Sequence, residues 1–107
     1  MNLRKLLSIR SCHERLHSDY RRLAESVRAG NAEVARLLSE AGPDLPEGWQ
    51  TMPHDDLLAR GLDPSRLARA QIVAEQTGAL RLETQLLATR LADSRALVER
   101  LNAYAQD

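Results

Sequence analysis

The sequence predicts an all-α protein, an antiparallel helical hairpin of two long coiled-coil-type helices with a short helix in the connecting turn. Three observations predict it. Apolar residues recur at alternating spacings of three and four over about forty residues on either side of the chain's middle, the pattern of a helix–helix seam. The middle, Gly42 to Leu62, gathers Pro43, Pro46, Pro53, Gly48 and Gly61, which break helices and favour turns. Aromatic residues are scarce, with one Trp, two Tyr and no Phe, so Leu, Ala and Val must fill the core, and these suit a two-helix seam better than a globular interior.

The first helix is expected over residues 3–41. Its seam runs Leu6, Ile9, His13, Leu16, Tyr20, Leu23, Val27, Gly30, Val34, Leu37 and Ala41, broken only by His13 and Gly30. A row sustained over five heptads at 3.5 residues per turn keeps one stripe facing a partner. Gly42-Pro43 then supplies a C-terminal glycine followed by a residue that cannot continue the helix.

Residues 42–62 form the connection. Pro53 to Gly61 reads as a short helix, with proline at its start, Asp55 and Asp56 in the first turn and glycine after the last residue. Trp49, the single large aromatic, has two readings. It folds back with Leu57 and Leu58 to plug the end of the hairpin, or it is presented as an anchor for a partner, since tryptophan is enriched among binding hot spots.

The second helix is expected over residues 64–105, started by Asp63 as the capping side chain and Pro64 in the first helical position. Its seam is Ala70, Val73, Thr77, Leu80, Thr84, Leu87, Leu91, Ser94, Val98, Leu101 and Ala105. Leu82, Leu86, Leu97 and Tyr104 lie outside that row and widen the apolar arc beyond what one neighbour covers. They are the expected partner-binding residues, together with Trp49. Folding the chain about the middle of the connection brings Gly30 to the level of Gly78, where two missing side chains would allow close approach.

The whole chain of 107 residues reads as a single helical-hairpin domain. Lys plus Arg and Asp plus Glu are equal at 15 each, so no net charge draws the molecule to nucleic acid. A nucleic-acid-binding helical dimer would have to use Arg4, Lys5, Arg10, Arg15, Arg21, Arg22 and Arg28, which are interspersed with acids. Cys12 has no cysteine partner, which fits a reducing, cytoplasmic setting. The apolar run at the N-terminus is broken by Arg10 and reads as mature helix, not a signal peptide. No stretch approaches the roughly 18 apolar residues of a membrane span.

One motif looks catalytic. His13-Glu14-Arg15-Leu16-His17 matches H-E-x-x-H, which in zinc peptidases sets two histidines on one helical face with a glutamate to activate the bound water. The context disfavours that reading. No segment reads as the β-sheet of a peptidase cleft, and the extended metzincin form would need Gly and His where Tyr20 and Leu23 stand. Glu25, Glu33 and Glu40 are candidate third ligands, but none carries a second signature. Without metal, His13 is a polar layer in the seam, Leu16 is core, and Glu14 and Arg15 face solvent. No catalytic residues, metal, cofactor or small-molecule substrate are therefore expected.

The run Leu3-x-x-Leu6-Leu7-x-Ile9-Arg10, followed by Glu14-Arg15, resembles the opening of the stalk proteins of flagellar and virulence type III export machines. The resemblance implies a helical hairpin, cytoplasmic and non-enzymatic, that contacts the export ATPase and serves protein transport. A small helical secretion chaperone or a secreted hairpin partner would use the same wide apolar face. Dimerisation into a four-helix bundle would bury it in a homodimer. Each of these is a protein–protein interaction through amphipathic helices.

Overall fold

The computed structural model describes residues 3–42 and 44–106, with side-chain surroundings as far as Tyr104. Three α-helices follow in order: α1 over Leu3–Ala41, α2 over His54–Ala59 and α3 over Pro64–Gln106, with a 3-10 turn at Trp49–Thr51 before α2. No strand occurs among the described residues. The hairpin of two long helices with a short helix in the turn is thus the fold, and both long-helix boundaries fall within a residue of those expected. Pro43 and the side chain of Ala105 lie outside the description.

Packing divides into two compact units, and each long helix contributes a segment to both. The terminal unit combines Met1–Glu25 with Leu80–Asp107, and the turn unit is Ser26–Ala79. Within each the helices run antiparallel. In the terminal unit Arg10 meets Asn102 and His13 meets Ser94. In the turn unit Glu40 pairs with Arg66, and the Ala41 carbonyl accepts a hydrogen bond of 3.1 Å from the Asp63 N–H.

The seam follows the three-four pattern. Each expected position of α1 from Leu6 to Ala41, and of α3 from Ala70 to Leu101, is buried or half-buried. Thr77 and Thr84 occupy seam positions because their hydroxyls donate to the Val73 and Leu80 carbonyls of the preceding turn, each at 2.7 Å. Their polar atoms are thus satisfied inside their own helix, and the methyl group is left to pack.

Gly30 packs differently from expectation. A Cβ there would overlap the side chain of Thr77, so the missing side chain makes room for a threonine and not for a second glycine. Gly78 has open space where its side chain would be. The pairing is one residue away from that obtained by folding about the middle of the connection.

The turn unit is held by a small core of Ala41, Leu57, Leu62 and Leu67, with Leu38, Leu45, Trp49 and Met52 packed against it. Leu67 is 1% exposed and is the largest fully buried side chain among the described residues. α2 enters this core through its C-terminal cap. Gly61, at φ 77°, donates to the Leu58 carbonyl, and the Leu62 N–H donates to the Leu57 carbonyl at 3.0 Å. These two bonds form a Schellman cap, whose usual apolar contact is here made by Leu57 and Leu62. α3 begins with Asp63 Oδ1 accepting from the Ser65 and Arg66 N–H groups at 3.0 and 3.3 Å. The expected cap is therefore made in both its parts, with Pro64 in the first position. Pro53, expected inside the short helix, caps it from an extended conformation, because its fixed φ suits the residue before the first turn.

Candidate docking surface

Helical periodicity determines which side chains α3 leaves outside the seam. Successive residues turn by about 100°, so Leu82, Leu86, Leu97 and Tyr104 fall within an arc of about 60°. The structure leaves all four exposed, at 60, 62, 37 and 68%. They form a stripe along the terminal unit's part of α3 that no other described residue covers.

Charged residues interrupt the stripe in its middle and flank it. Arg90 and Asp93 lie between Leu86 and Leu97, while Glu83 and Arg100 stand beside its two halves. All four are exposed, and none makes an ion pair or side-chain hydrogen bond with another described residue. Some other exposed charges are paired within one helix. Arg36 lies between Glu33 and Glu40, and its hydrogen bond holds the Glu33 carboxyl below the usual carboxylate range, while the two carboxylates raise the Arg36 guanidinium.

Trp49 sits elsewhere, in the turn unit. It is half-buried, packed against the small core, and beside a hollow of about 100 Å³ that includes Val34, Leu38 and Ala70 in its lining. Leu57 joins it in closing the turn, but Leu58 is 60% exposed, because the one turn and a half of α2 presents only one of two adjacent leucines to the core. Other outward apolar side chains that the sequence reading did not single out as a surface are Leu3 and Leu7 at the start of α1 and Ile72 on α3. The spacing of Leu3 and Leu7, four apart and off the seam, was the available signal.

The H-E-x-x-H segment lies in the middle of a helix. His13 Nδ1 is 3.1 Å from Ser94 Oγ, a polar rung that joins the two seam positions across the hairpin. His13, His17 and Tyr20 line a shallow groove of about 320 Å³ with Ala88, Leu91, Ala92 and Arg95. Among the described residues no group of three or more His, Cys, Asp or Glu is gathered as a metal would require, and Glu25, Glu33 and Glu40 are not brought to the two histidines. The Arg95 guanidinium in the lining further opposes a bound cation. Cys12, one residue away, is exposed.

No described helix is long and apolar enough to cross a membrane. Comparison with known proteins finds no significant match to a family model, a curated protein or a solved structure.

Proposed function

We propose that this hairpin is a non-catalytic docking module that binds a protein partner through the outward face of α3. The observation that carries the reading is the stripe of Leu82, Leu86, Leu97 and Tyr104, exposed on one side of a helix whose other side is already occupied by the seam. Scattered apolar residues on a surface need no explanation, but four in one arc form a patch that a helical partner can cover. Trp49 contributes through the stability of the turn, since it packs against the core.

The test is photo-crosslinking in the native host, with a photoreactive amino acid at Leu86 and, as a control, at Glu99 on another side of the helix. A discrete protein adduct from Leu86, missing from Glu99 and lost with Leu82→Asp and Leu97→Asp at unchanged helicity, is expected. Equal labelling from both positions would remove the reading.

The type III stalk resemblance gives the finer version, a cytoplasmic module that engages an export ATPase. Its support is the exposure of Leu3 and Leu7, two of the residues that carry the resemblance. The adduct from Leu86 would then be, or belong to a complex with, a hexameric ATPase. An adduct with an unrelated protein would set that version aside.

A further inference from the structure

The stripe on α3 is self-complementary, and we infer that its occupant is the same stripe of a second copy of this chain, laid antiparallel about a two-fold axis level with Leu91 and Ala92. This inference rests on the docking reading above and specifies the partner.

When a helix packs antiparallel on its own copy, one two-fold axis fixes every opposed pair, because each position meets the one equally far on the other side of the axis. With the axis between Leu91 and Ala92, Leu86 faces Leu97 of the second copy. Arg90 then faces Asp93, a pair that occurs twice by symmetry, while Glu83 and Arg100 stay at opposite edges of the contact. The two charges that interrupt the stripe thus acquire opposite charges, and neither makes an ion pair with another described residue inside the chain. Leu82 meets Leu101, whose seam position is half-buried, at the end of the contact.

Other registers do not achieve this. Setting Leu82 against Leu97 places Asp93 against Leu86, and setting Leu82 against Leu86 places Asp93 against Glu75. Buried carboxylates without a partner, and like charges opposed, both disfavour association. One register alone therefore joins leucine to leucine and acid to base. Apolar contact supplies the attraction, and the charged pairs select the alignment.

The test uses the full chain in sedimentation equilibrium over low to high micromolar concentration, with circular dichroism on the same samples. The wild type is expected to be a dimer, and Leu86→Asp a folded monomer. Arg90→Asp alone and Asp93→Arg alone each replace two attractive contacts with two repulsive ones and should weaken the dimer on the order of tenfold. The double exchange Arg90→Asp with Asp93→Arg should restore it.

Register is read separately by disulfide formation after Cys12→Ser. Leu86→Cys chains mixed with Leu97→Cys chains should form a covalent dimer under mild oxidation. Leu86→Cys alone should not, since its two copies would lie about 16 Å apart along the axis at 1.5 Å per residue. A dimer that survives Leu86→Asp, fails to recover in the double exchange, or crosslinks through Leu86→Cys alone would overturn the proposed pairing. A monomeric wild type would overturn it too, yet leave the docking face open to another protein. Photo-crosslinking at Leu86 separates these failures, since it returns either this chain, a different protein or nothing.

Discussion

Two glycines in the long helices serve opposite purposes. Gly30 sits where any side chain would run into Thr77, whereas Gly78 faces open space. In a helix, glycine costs about 1 kcal/mol relative to alanine, so Gly78→Ala should stabilise the protein by about that amount in urea unfolding. Gly30→Ala gains the same propensity but must displace Thr77, and overpacking of this kind costs roughly 1–3 kcal/mol. It should therefore be neutral to destabilising, with part of the loss recovered by adding Thr77→Ala. Equal stabilisation by both alanines would mean that the helices do not approach closely at this level. In the sequence Gly30 shows as a break in an apolar row, and its level is legible to within one residue, but the side chain that fills the gap, Thr77, is not. Folding about the middle of the connection assumes that both helices leave the turn at the same level, and that depends on packing around Trp49 and Leu62 that no periodicity reveals.

At the level of elements, local signals were the readable ones. The end of α1 at Ala41 and the start of α3 at Pro64 were legible because a cap is written in two or three adjacent residues. Asp63→Ala removes the acceptor for the Ser65 and Arg66 N–H groups and should cost about 1 kcal/mol, seen as a lower urea midpoint at unchanged slope. An unchanged midpoint would show that solvent serves these N–H groups equally well. The outward leucines of α3 were likewise legible, since an apolar arc wider than one seam shows in the spacing alone. The facing of α2 was not. A helix of six residues has too few turns to define a stripe, so whether Leu57 or Leu58 points inward is decided by the Gly61 cap and not by pattern. The self-complementarity of Arg90 with Asp93 was present in the sequence too, but it emerges only when the stripe is opposed to its own reverse.

Over the whole molecule the balance of 15 basic and 15 acidic residues conceals a difference in deployment. Some charges, such as Arg36 with Glu33 and Glu40, are settled within one helix, whereas those beside the α3 stripe make no ion pair with another described residue. The Leu57–Leu62–Leu67 core carries a different consequence, one of timing. The contact between Ala41 and Asp63 closes only about twenty residues of chain, while those of His13 with Ser94 and Arg10 with Asn102 span 81 and 92. Because closure entropy grows with the logarithm of loop length, the longest loop costs roughly 1 kcal/mol more than the shortest if each must close from an open chain. If the short loop closes first, each later rung adds only a few residues to an existing pair, and the hairpin zips from its bend towards its ends. Leu67→Ala should then slow folding, whereas Leu6→Ala should mainly hasten unfolding, as stopped-flow chevrons of the two variants would record. The tryptophan that closes the bend would be among the first side chains to leave water, and its fluorescence would report the earliest step of folding instead of the last.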